Sequence, residues 1–202
     1  VQLPADPGTS KEAAAAAAAA AVLATIDSKT SDEIHGALAA YLAAIPDGPA
    51  KTDGVKLGEA VAAKVLEARA NDGSGAPDDY RPRTSPGVYV PTAYTLAPWW
   101  PNMKPFVMTK GSQFRPGPPV ALDSNEWATD YNEIKQIGVK LSSTRTIEQS
   151  DIAQFWRASP TAIWNSVLTQ VMETRNLNLS QKARLFALMY LATADASIAC
   201  WG

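Results

Sequence analysis

Hydrophobic and polar positions divide the chain into three stretches with different patterning. In residues 10–71 the apolar positions are mostly alanine and recur at helical spacing. Thr9 or Ser10 can cap a first helix through the alanine run at 13–24, where intrinsic helix propensity is highest. A second helix is predicted from Thr30, where Thr30-x-x-Glu33 reads as a capping box. Ile34, Ala37, Leu38, Tyr41, Leu42 and Ile45 give it one apolar face, and Pro46-Asp47-Gly48-Pro49 ends it. A third helix runs to about Asn71, with Val55, Leu57, Ala62, Val65 and Leu66 as core positions, and Asn71-Asp72-Gly73 closes it. Alanine in place of leucine lets helix axes approach near the low end of the usual ~8–10 Å range. The stretch reads as a scaffold.

Periodicity disappears in residues 73–122. Ten of the fifteen prolines fall there, at 77, 82, 86, 91, 98, 101, 105, 116, 118 and 119. That density forbids long helices and central strands. Tyr80, Tyr89, Tyr94, Trp99, Trp100, Phe106 and Phe114 are interleaved with them, whereas a disordered linker is poor in aromatics. The expectation is an ordered, extended strap pinned by its aromatics, either covering the helices or lining a substrate approach through Trp99, Trp100, Phe114 and Arg115. Gly87-Val88-Tyr89-Val90 is the one strand candidate, and it has no partner.

Helical spacing returns in residues 123–202. Asp123-x-x-Glu126 reads as a capping box before Trp127, Tyr131, Ile134 and Ile137, and Gly138 interrupts. Thr146 caps a short helix bearing Ile147, Ile152, Phe155 and Trp156. Ser159-Pro160 opens another, carrying Ile163, Trp164, Val167, Leu168, Val171 and Met172. Ser180 is the expected cap of the last, with Ala183, Phe186, Ala187, Tyr190, Leu191 and Ala194 inside. The predicted class is all-α: a helical bundle with a long Pro- and aromatic-rich ordered strap between two helical zones.

Composition narrows the chemistry. With 18 basic and 20 acidic residues in 202, the formal net charge is −2, which argues against a nucleic-acid or anionic-membrane binder. One cysteine, Cys200, excludes an internal disulfide framework and a cysteine-rich zinc site. Imidazole catalysis would have to run through His35, which reads as a surface residue. The apolar run at 13–24 is short and mild for a bilayer, and the run at 185–194 is shorter and meets Asp195, so no membrane span is expected. The opening VQLPADPGTS fits a terminus left by signal cleavage, hence a secreted or periplasmic protein; a cytoplasmic chain is the alternative.

No glycine-rich phosphate loop, metal-spaced cluster or nucleophile elbow is present. Asp195, inside an apolar helix, needs a partner, a helix terminus or an arginine, and reads as structural. The densest polar cluster is Asp130, Asn132, Glu133 and Lys135, followed by Arg145 and Thr146. Arg145 paired with one of these carboxylates would fix the turn between two helices, so the cluster reads as a structural network.

Several strings resemble a known family in their order. They are Phe114-Arg115-Pro116-Gly117-Pro118-Pro119, Tyr131-Asn132-Glu133-x-Lys135-x-x-Gly138, Ser143-x-Arg145-Thr146-x-x-Gln149, Phe155-Trp156, Trp164-Asn165 and Ala194-Asp195-Ala196. With Ile45-Pro46-Asp47-Gly48-Pro49 they resemble vanadium-dependent haloperoxidase-like proteins of the type 2 phosphatidic acid phosphatase superfamily. The resemblance implies an all-α fold and a cradle for vanadate or phosphate. That cradle uses Lys-x6-Arg-Pro, Pro-Ser-Gly-His and Ser-Arg-x5-His-x3-Asp segments, none of which occurs here; Lys110-x4-Arg115-Pro116 has the wrong spacing. The expectation is that residues 1–202 form the N-terminal helical region of a larger haloperoxidase-like domain. The catalytic segments would then lie beyond Gly202. The chain by itself would hold no catalytic, cofactor or metal residue. Its partner would be a C-terminal catalytic half, in the same or a separate chain, or further copies of itself. The alternative is a non-catalytic scaffold or assembly protein derived from that family.

Overall fold

The computed structural model describes residues 1–81, 83–91 and 95–201, so Pro82, Tyr94 and Gly202 lie outside the described residues. The architecture is all-α, with no strand among the described residues. The described residues form seven helices in order: α1 (Lys11–Ile26), α2 (Ser31–Ala43), α3 (Pro49–Arg69), α4 (Asn125–Ile137), α5 (Ile147–Trp156), α6 (Pro160–Thr174) and α7 (Leu179–Cys200). Among its described residues, the long segment between α3 and α4 holds one single-turn 3₁₀ helix, Trp100–Asn102. The chain divides into two units, residues 1–75 with 178–184, and residues 76–177 with 185–202.

In the first unit α1 packs along α3 and against α2. Ser10 caps α1 as expected, its hydroxyl accepting from the Ala13 N–H at 3.1 Å. The α1 ladder Ala13, Ala17 and Ala20 is buried. Facing it on α3 are Gly54, Gly58 and Ala62, also buried. A methyl group on Gly54 would lie 2.6 Å from the Ser10 carbonyl oxygen, and one on Gly58 would run into the carbonyl of Ala14. The two backbones are in contact, so helix packing here is set by the absence of side chains. The larger candidates on α3 sit off this line: Leu57 and Leu66 are half-buried, and Val65 is exposed.

Three caps differ from expectation. Thr30 precedes α2 but makes no capping bond, because a 3₁₀ turn at Ser28–Thr30 leaves it at φ −100°, ψ 10° rather than extended. Its hydroxyl donates to the Asp27 carbonyl instead. Ser124, not Asp123, caps α4, accepting from the Trp127 N–H at 3.1 Å. At α7, Asn178 and Gln181 exchange side-chain and backbone bonds at 2.9 and 3.0 Å, so that helix starts one turn ahead of Lys182 and not at a Ser180 cap. Thr146 and Gln149 form the full reciprocal box at α5.

The second unit is built differently. Among its described residues no two helices pack along a shared face; α6 touches α7 where the Tyr190 hydroxyl donates to Asn165 Oδ1 at 3.2 Å. Its buried apolar side chains are Met103, Leu168 and Ile198. Gly111 of the strap lies against Ile198, where an added methyl would come within 3.1 Å of Cγ2. α7 is 22 residues long, because Asp195 does not end it as the apolar run at 185–194 suggested. By length and composition alone it could cross a membrane, a test that core helices of soluble proteins also pass.

Candidate functional site

Asp195 organises the strap. It is 5 % exposed, and its carboxylate accepts three consecutive backbone N–H groups. Phe106 donates to Oδ1 at 2.7 Å, and Val107 and Met108 donate to Oδ2 at 2.8 and 2.7 Å. Consecutive N–H groups converging on one point form an anion-binding concavity, here filled by a side chain of the same unit. Bonds to a charged acceptor are each worth about 1.5–3 kcal/mol, so this clamp rivals the small apolar core around Ile198 in holding the strap on α7.

Beside the clamp, between α7 and the loop 107–119, lies a cleft of about 980 Å³. Val107, Met108, Phe114 and Pro116 form one wall, and Ala192 and Ala196 form the other. Of the residues expected along a substrate approach, Phe114 and Arg115 line this cleft. Trp99 and Trp100 do not. They stack on each other with centroids 5.7 Å apart, and Trp100 meets Trp201 at 6.4 Å. Both are half-buried, as structural pins of the strap would be.

Arg145 makes no pair with an α4 carboxylate. Its Nη1 donates to the carbonyls of Ile137 (2.7 Å) and Val139 (2.8 Å), Nη2 to that of Lys140 (3.3 Å), and Nε to Ser150 Oγ (3.1 Å). The end of α4 leaves carbonyls without helical partners and carries negative dipole, so the guanidinium settles there in preference to a solvated carboxylate. Asp130, Asn132, Glu133 and Lys135 remain exposed on α4 and are not gathered by Arg145. Thr146 belongs to the α5 cap. Arg145 therefore does fix the turn between α4 and α5, through backbone and not through charge pairing.

His35 is exposed on α2, 3.3 Å from the Ser31 hydroxyl at Nδ1. Among the described residues no group of three or more His, Cys, Asp or Glu could hold a metal ion. Of the cleft, only the strap side was marked in sequence, by Phe114 and Arg115; the α7 wall of Ala192 and Ala196 was not. The signal that could have located the clamp was Asp195 itself, the acidic residue within the long apolar stretch of α7. No family model, curated protein or solved structure matches this chain.

Proposed function

We propose that this chain is the supporting, N-terminal helical portion of a vanadium haloperoxidase-like or acid-phosphatase-like enzyme, with the oxyanion site carried by residues outside it. One observation carries the reading: more surface is exposed than a self-sufficient chain of this size leaves open, and many large apolar side chains are part of it. The accessible area is 15,199 Å². A 21.5-kDa globular monomer would expose about 9,200 Å², and two separately folded halves about 11,000 Å². On the second unit Leu141 is 91 % exposed and Ile147 83 %, with Ile134, Phe155 and Trp156 also exposed. Apolar helix faces of this extent call for further polypeptide.

The order of motifs from Phe114 to Ala196 supports the family, and the all-α fold agrees with it. The described residues of this chain do not themselves fit vanadate or phosphate. The three N–H groups best placed for an oxyanion are taken by Asp195, and Arg115 is the sole cation lining the cleft beside them. No reaction step is assigned to this chain. The same exposed surface suits a non-catalytic assembly protein.

The intact mass and sequence of the native polypeptide test the reading. A native chain, or a tightly copurifying partner, carrying the His-bearing segments is the expected result. A native species of 21.5 kDa with no partner ends the enzyme reading and leaves the assembly protein.

A further inference from the structure

We propose that the cleft between α7 and the 107–119 loop binds a fatty carboxylate, its chain along the cleft and its carboxylate on Arg115. The cleft's volume of about 980 Å³ is at the upper end of what small-ligand sites offer. Its walls are apolar, so the body of the ligand must be apolar as well. Ala192 and Ala196 give the α7 side its depth; larger residues there would close it.

Three lining residues carry polar side chains: Asp195, Arg115 and Cys200. Asp195 is committed to the N–H groups of Phe106, Val107 and Met108. Arg115 uses its backbone N–H in a turn to the Ser112 carbonyl, while its guanidinium has no hydrogen bond or ion pair among the described residues. Among the described residues it is the one uncommitted charge of the cleft, and its planar fork matches a carboxylate in two parallel bonds. A phosphate dianion fits less well. It would have a single cation to balance two charges, in a cleft that already holds the Asp195 carboxylate. The backbone concavity that suits phosphate is occupied.

Isothermal titration calorimetry of the protein with dodecanoate below its micellar concentration tests the proposal, with dodecyltrimethylammonium and dodecyl phosphate as comparison ligands. Saturable binding of one dodecanoate per chain is expected, weaker binding of the cation, and weaker binding of the phosphate. Arg115→Gln should weaken dodecanoate about ten- to hundredfold, the range of a charge-assisted hydrogen bond. Ala196→Trp, which fills the cleft, should abolish it with helix content unchanged by circular dichroism. Should the tryptophan disturb α7, Arg115→Gln decides alone, since that side chain is exposed on a loop. Absence of saturable binding, equal binding of carboxylate and cation, equal binding by Arg115→Gln, or tighter binding of dodecyl phosphate each overturns the proposal. None of these results depends on whether the chain belongs to a larger enzyme.

Discussion

The two units join their helices by opposite means. In the first, α1 and α3 approach until their backbones touch, through Ala13 and Ala17 on one side and Gly54 and Gly58 on the other. In the second, α4 to α7 share no packed face, and the chain is held by polar clamps: Asp195 on the strap and Arg145 on the end of α4. The difference shows in what each leaves over. Small residues spend little apolar side-chain area to make a tight contact. The second unit carries large apolar side chains that its clamps do not bury.

The sharpest way to break the comparison is Gly58→Leu. The nearest atoms are the Ala14 carbonyl oxygen and the Ala18 amide nitrogen, backbone that cannot swing aside as a side chain could. Overpacking of this kind against backbone should cost about 3 kcal/mol, with α1 and α3 separating. Thermal melting by circular dichroism reads the loss. Amide exchange should show it in α1 and α3, and the 106–108 amides should be no less protected than before. If Gly58→Leu melts like the parent chain, the close approach of the two helices is wrong.

Asp195→Asn tests the other mode of joining. The amide keeps one acceptor oxygen and turns its NH₂ donor toward an N–H that needs an acceptor, Phe106 at the least. About 2 kcal/mol should be lost from the attachment of the strap. The readout is faster hydrogen exchange at Phe106, Val107 and Met108, with the first unit unaffected. Protection unchanged at these three amides would mean that the apolar contact of Gly111 with Ile198 holds the strap unaided.

These two sites mark what the sequence disclosed and what it withheld. Helix existence and class were legible, because alanine runs, 3.6-residue apolar spacing and proline density act locally. The close helix pair was half legible. The alanine side points to close approach and Ala62 stands among the expected core positions, but Gly54 and Gly58, which complete its four-residue line, carry no apolar side chain to mark them. The need of Asp195 for a partner was legible from its apolar neighbours. That the partner is backbone almost ninety residues earlier was not, since N–H groups leave no mark in sequence. The partners of Arg145 are hidden for the same reason: carbonyls at and just past the end of α4 outcompete the carboxylates that spacing makes conspicuous.

A smaller effect comes from acid. Asp72, at the end of the first unit's α3, is buried, which works to raise its pKa. The Ser74 hydroxyl at 2.7 Å and N–H at 3.0 Å, with Arg69 at 2.8 Å, outweigh this and hold it below the ordinary aspartate value of 3.8. A carboxyl depressed in the folded state stabilises fully above its unfolded pKa. That contribution is lost as pH falls through the lower, folded value. The first unit should therefore lose stability below about pH 4. Asp72→Asn should remove that part of the pH dependence, which acid titrations of the two chains by circular dichroism would show. Superimposable acid limbs would exclude Asp72 as a contributor.

The smallest effect expected on the chain itself is the most telling about the second unit. Leu141 and Ile147 are 91 % and 83 % exposed, so Leu141→Lys and Ile147→Lys remove almost no buried area. Each should shift stability by no more than about 0.5 kcal/mol, as exposed substitutions usually do. If instead these residues are covered by further polypeptide, each lysine must lose its hydration at a closed apolar surface. Association should then weaken while the melting of the 202-residue chain stays the same. Thermal melts on the isolated chain and copurification of the native assembly separate the two quantities. A loss in both would mean that Leu141 and Ile147 are buried within the chain's own fold. A loss in neither would leave Leu141 and Ile147, at the α4–α5 connection and the start of α5, without a partner. Loss of association alone is the outcome that the contrast between the two units predicts, since the first buries its helix contacts against itself and the second leaves its large apolar residues uncovered.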